Sequence, residues 1–143
     1  MYDYSNPGDT LKLSAGSYEI KKDSDMALHI TESITILGAK AGVDARGRST
    51  TGLGTIGYDN GASCANCDTA ESNIFPKDTT GVIYISDASN VVLDGLTVTD
   101  KTTGGAANAL VAMYSGIFDT LTGIKVKNCV LRHVKKSGTM YAI

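Results

Sequence analysis

One unit recurs three times along the chain, and it restricts the available folds more than any other feature. The stretch Gly81–Asp100, GVIYISDASNVVLDGLTVTD, holds three short β-runs, Val82–Ile85, Val91–Leu93 and Leu96–Val98. Ser86-Asp87-Ala88-Ser89-Asn90 and Asp94-Gly95 separate them. Valine, isoleucine and leucine suit a pleated surface, and Asp-Gly and Ser-Asn interrupt it. No run reaches helix length or shows a 3.6-residue period. Ala27–Ala39, ALHITESITILGA, has the same order of strand, polar break, strand and glycine. Aligning Ile34 with Val91 sets Ile36 on Leu93 and Gly38 on Gly95. The third copy is Gly123–Val134, GIKVKNCVLRHV. Aligning Ile124 with Val91 sets Val126 on Leu93, Cys129 on Leu96 and Leu131 on Val98. The offsets are 57 and 33 residues, and the longer is one repeat plus an insertion.

A period in this range marks a coiled repeat. Each unit is too small to bury its own apolar face, so stacked units must supply the core. This predicts that Ile34, Val91 and Ile124 lie above one another, as do Ile36, Leu93 and Val126. Hairpins would not require that register across so long an insertion. The expectation is one all-β domain spanning residues 1–143, with about three to four coils and a lateral loop inserted at about 40–80.

The remaining chain fits this plan. Asn6-Pro7-Gly8-Asp9 is a strong turn. The runs Thr10–Leu13 and Tyr18–Ile20 follow it, on either side of Ser14-Ala15-Gly16-Ser17. Lys40–Thr80 is rich in Gly, Ser, Thr and Asn, and a structureless loop of that length argues against a simple compact fold. A solenoid tolerates it, because one coil can bulge outward without breaking the stack. A shorter excursion, Lys101–Asn108, precedes a strand at Ala109–Tyr114. Another, Ser115–Thr122, precedes the last copy. Met140–Ile143 reads as the first strand of a further coil.

The 143 residues are 42% apolar, enough for a buried core, and the net charge of −2 does not describe a general polyanion binder. The charge is unevenly placed. All 15 acids lie at or before Asp119, against eight cations there, and the five cations after Asp119 face no acid. That asymmetry reads as a solvated basic face, as complementarity between the two ends of the molecule, or as a groove for an anionic polymer. No apolar run is long enough to span a membrane, and no basic-then-apolar leader is present, so membrane insertion is not expected.

Several segments resemble the right-handed parallel β-helix superfamily, the pectin-lyase-like proteins. NPGDTLKLSAGSYEI (residues 6–20) resembles their opening turn and first strand. ITILGAKAGVDARGRS (residues 34–49) resembles a segment frequent in secreted bacterial members. NVVLDGLTVTD and IKVKNCVLRHV resemble their repeating rungs. The resemblance implies a right-handed parallel β-helix. For activity it implies only a range: polysaccharide lyases, glycoside hydrolases, phage tailspikes and non-catalytic surface proteins. Members usually open with an amphipathic capping helix and carry more coils, the lyases placing catalytic residues on the middle ones. Here only Met1–Ser5 precedes the first turn, and there is room for three or four coils.

Lyase chemistry removes a proton beside a uronate carboxyl, using a Lys or Arg base and a cation or Ca²⁺ against the developing charge. Asp87, Asp94, Asp100 and Lys101 are the neighbouring polar groups, and Asp94, Asp100 and Lys101 are the weak catalytic candidates. Asp94 before Gly95 reads first as a turn residue. No carboxylate cluster has Ca²⁺ ligand spacing, so no cofactor is expected outside the lyase reading. Cys64 and Cys67 form a C-x-x-C without a second pair to complete a zinc site. In an exported protein a small loop disulfide ranks first, thiols second and a metal third. Cys129 falls at a core-facing position. His29 is expected to face opposite to Leu28 and Ile30, and His133 follows Arg132; both read as structural or surface residues.

Lys125 and Lys127 alternate with Ile124 and Val126, so the lysines are expected to face outward together. Arg132, Lys135 and Lys136 extend the patch, which suits uronates or sulfates. Nucleic acid is not expected, because no aromatic residues interleave with these cations. Neither end reads as capped, and exposed terminal coils invite edge-on pairing. The leading expectation is an extracellular or cell-surface module with a structural role that self-associates through its terminal coils into filaments. A polysaccharide-active enzyme fragment and a carbohydrate-binding module are the alternatives.

Overall fold

A computed structural model of the chain describes residues 5–20, 28–47, 70–76, 82–99, 110–116 and 120–132. Eleven short strands account for most of these residues. They are β1 (Asp9–Lys12), β2 (Gly16–Ile20), β3 (Leu28–Ile30), β4 (Ile34–Leu37), β5 (Ser72–Pro76), β6 (Ile83–Ser86), β7 (Val92–Asp94), β8 (Leu96–Thr99), β9 (Val111–Tyr114), β10 (Lys125–Lys127) and β11 (Val130–Arg132). One turn of 3-10 helix, Ala45–Gly47, lies after β4. Among the described residues no helix is long and apolar enough to cross a membrane.

The strands form three sheets, and every pairing is parallel. Sheet A has the order β1-β4-β7-β10, sheet B β2-β5-β8-β11 and sheet C β3-β6-β9. The chain visits A, B and C in turn, three times, and then A and B once more. This cyclic order is consistent with a parallel β-solenoid: among the described residues, three complete coils are followed by two strands of a fourth. Parallel pairing follows from the repeat, since each strand can meet its copy only after the chain has gone round.

The register agrees with the repeat alignment. Ile36 pairs with Leu93, and Leu93 with Val126. Leu131 pairs with Val98. Two residues back along sheet A, the same register aligns Ile34, Val91 and Ile124, and Val91 O accepts from the Lys125 amide at 2.8 Å. The inward side chains of all three sheets meet in one cluster that includes Ile30, Ile36, Ile74, Ile85, Leu93 and Val98. Each such aliphatic side chain gains about 1.5–3 kcal/mol on leaving water.

The glycine match at the A-to-B turn has a steric cause. Gly95 has φ +70° beside the backbone of Lys40 and Ala41, which leaves no space for a Cβ. A Cβ on Gly38 would strike the Gly95 carbonyl. One coil further on, Asn128 takes the same left-handed conformation, φ 51°. Asparagine tolerates it better than most residues with a side chain.

Two expectations about the strands need correction. Several strands run one residue further than their apolar pattern, because ladder pairing does not stop where hydrophobicity does. Ser86 pairs with Tyr114, Asp94 with Leu37 and Thr99 with Arg132. The second correction concerns the expected loop at 40–80, which contains β5. Ser-Asn-Ile-Phe-Pro lacks a strong strand pattern of its own, but β2 and β8 pair with it on both sides. Residues 48–69 lie outside the described residues, as do the expected loop Lys21–Asp25 and the excursion Lys101–Asn108.

Candidate functional site

Among the described residues, a hollow lies inside the first coil. Leu11 and Leu13 from the sheet A side, Tyr18 and Ile20 from β2 and Leu28 from β3 surround a hollow of about 830 Å³. Ile34, Ile36 and Ile74 of the second coil form its floor. The ring residues are only partly buried, whereas the floor residues are at most 2% exposed. Tyr18 is fixed at the rim: its hydroxyl donates to the Ser14 carbonyl and stands 2.9 Å from Ser14 Oγ. At the opposite end Ile124, Val126, Cys129 and Leu131 are likewise partly buried against the core. Among the described residues, the first and last strands of sheets A and B therefore have one partner strand each and lie beside partly buried apolar side chains.

Asp94 is a fastener between coils. Its side chain is only 6% exposed. Oδ1 accepts from the Gly42 amide at 3.1 Å and from Asn128 Nδ2 at 2.8 Å. Oδ2 lies 3.1 Å from Lys127 Nζ. Burial works to raise its pKa, but Asn128, Gly42 and the Lys127 ammonium together outweigh it and hold the carboxyl below its ordinary value. This arrangement suits a permanent anion, and Asp94 is the last residue of β7, just before the turn at Gly95. The other two catalytic candidates, Asp100 and Lys101, lie outside the described residues.

The basic patch divides. Lys125 is exposed on the outer face of sheet A, as the alternation predicts. Lys127 faces the same way with its side chain 54% exposed, but its ammonium is paired with Asp94. Arg132 ends β11 opposite Thr99; its side chain, like Lys135 and Lys136, lies outside the described residues. So do His133 and both Cys64 and Cys67. Cys129 packs against the core as expected, with Sγ 3.2 Å from the Lys127 carbonyl oxygen.

Two arrangements were not anticipated from the residues. His29 does face outward, but its Nε2 is hydrogen-bonded to Ser86 Oγ, and its ring lies 5.2 Å from that of Tyr84. The signal was available in the register, since His29 pairs with Tyr84 and Ser86 is two residues further along β6. The outer side of sheet B also holds a buried polar ladder. Thr97 donates to Glu71 at 3.0 Å, and Thr99 donates to Asn73 Oδ1 at 2.9 Å. Both threonines are 0% exposed. Alternation marks them as outward-facing but cannot show that this face is covered.

Among the described residues no group of three or more His, Cys, Asp or Glu side chains could hold a metal ion. No family profile, curated protein or solved structure matches the chain.

Proposed function

We propose that the chain is a short right-handed parallel β-helix of the pectin-lyase-like kind, acting as a non-catalytic extracellular or cell-surface module. Its role in this reading is structural: copies associate head to tail through their terminal coils. The observation that carries the reading is the apolar hollow at the first coil, about 830 Å³ across the end of the stack. A second copy seated on this hollow would take its apolar lining out of water, which supports association. The partly buried apolar residues of the last coil support the same role at the other end.

Sedimentation across a concentration series, with negative-stain imaging, tests the reading. Association that grows with concentration and produces regular fibres is the expected result; a monomer throughout would overturn it. The enzyme alternative makes a different prediction. Incubation with pectate, alginate or chondroitin, with and without Ca²⁺, would then yield an unsaturated product absorbing in the ultraviolet.

A further inference from the structure

The outer face of sheet C carries a pair of side chains that plays no part in the proposed association. His29 sits on β3, and Ser86 is the last residue of β6. The register pairs His29 with Tyr84, which sets Ser86 two residues further along the neighbouring strand. Nε2 of His29 and Oγ of Ser86 are 2.5 Å apart. The His29 ring lies against that of Tyr84, with centroids 5.2 Å apart, and this contact steadies the imidazole. His29 is exposed, whereas Ser86 is only 7% exposed. A serine hydroxyl is a weak nucleophile by itself, and an adjacent imidazole is one of the groups that activates it. With the imidazole proton on Nδ1, the Ser86 hydroxyl donates to Nε2, and Nε2 can take the proton as Oγ attacks.

The surroundings set how far this chemistry goes. Rapid turnover needs donors aimed at the developing oxyanion, commonly backbone amides. Two amides near Ser86 are already engaged. The Asp87 amide donates to the Tyr114 carbonyl at 3.1 Å, and the Gly116 amide donates to Asp87 Oδ1 at 2.8 Å. A base without such donors supports slow, stoichiometric attack rather than turnover, which is compatible with a non-catalytic module. We infer that Ser86 is an acyl-acceptor site, taking a small acyl group from an activated ester with His29 as its base. Oγ bonds to the ester carbonyl carbon, and the bond from that carbon to the leaving oxygen breaks. The Ser86 proton passes through Nε2 to the departing alcohol or phenol. The products are an O-acylserine and that free alcohol or phenol. The low exposure of Ser86 restricts the donor to small acyl groups.

The test treats the full chain with p-nitrophenyl acetate and maps the acetylated positions by peptide mass spectrometry. Ser17, an exposed serine on β2, is the internal reference. Ser86 should gain an acetyl group at least about tenfold faster than Ser17, although it is the less exposed of the two. Reactivity governed by exposure gives the reverse order. His29→Gln keeps a hydrogen-bond acceptor for the Ser86 hydroxyl but removes the base. It should slow acetylation of Ser86 on the order of 100-fold, with Ser17 and the urea midpoint little changed. Ser86→Ala should abolish the fastest phase of p-nitrophenol release. A Ser86 that reacts no faster than Ser17 overturns the acceptor site in the wild-type protein, whatever the variants do. A rate at Ser86 that is unchanged in His29→Gln removes His29 as the base. Ser86-dependent release well beyond one equivalent per chain overturns the stoichiometric limit. None of these outcomes depends on whether copies of the chain associate.

Discussion

The inner coils and the end coils are built from the same kinds of residue, yet they differ sharply in how dry they are. Ile36 and Leu93 are each 1% exposed, while Leu11 below them and Val126 above them in the same column are only partly buried. In sheet B, Ile74 and Val98 are 1% exposed, while Tyr18 and Leu131 flank them half-buried. A rung in such a stack is made dry by the rungs on either side of it, not by its own composition. The partial burial of the first and last described rungs is thus a property of position, and it is why assembly, rather than chemistry within a cleft, is the proposed role.

The largest expected effect tests that contrast directly. Leu93→Ala should lower unfolding free energy in urea by about 2–5 kcal/mol, because the surrounding column cannot collapse into the space. Leu11→Ala in the dilute protein should cost about 1 kcal/mol or less, since that side chain already meets water. Equal losses at the two positions would erase the distinction. Gly95→Ala comes next, at about 2–4 kcal/mol, because the left-handed backbone and the adjacent Lys40–Ala41 chain both oppose a Cβ. The corresponding change at Asn128, which already carries a side chain at φ 51°, should cost less.

Asp94→Ala should cost about 1–3 kcal/mol, because it leaves the Gly42 amide, Asn128 and Lys127 without their acceptor. The pH dependence has a definite sign. The folded-state pKa of Asp94 is depressed, so its contribution is fully present above the ordinary value of 3.8 and is lost as pH falls through the lower folded value. Urea midpoints of wild type and Asp94→Ala should therefore converge below that range; a constant gap would remove Asp94 as a charged link between inner and last coils. The smallest effect belongs to Lys125→Ala, which should change stability by no more than about 0.5 kcal/mol. A larger loss would place that exposed lysine in a contact of its own.

Much of the winding was legible because solenoid register is a linear property. Aligning copies of strand, break and strand is equivalent to stacking them, so matching Gly38 with Gly95 and Leu131 with Val98 identified real neighbours. The Asp94–Lys127 link could have been read the same way, since those residues occupy equivalent positions one repeat apart. β5 was missed because five residues ending in proline carry a weak pattern, and the insertion before it breaks the period. The hydrogen bond between His29 and Ser86 was missed because it runs diagonally between rungs rather than along a column.

What the amino-acid order determined alone was the alternation of inward and outward side chains, the positions of the glycine and asparagine turns, and the register by which successive copies align. These depend on nearest neighbours in the chain and on a repeat that the chain itself displays. Only the tertiary structure decided that Asp94 is buried and bound from three sides, that Thr97 and Thr99 lie on a covered face, and that Leu11 borders an open hollow while Leu93 is sealed. Burial depends on what lies above and below a rung, and those neighbours come from parts of the chain tens of residues away.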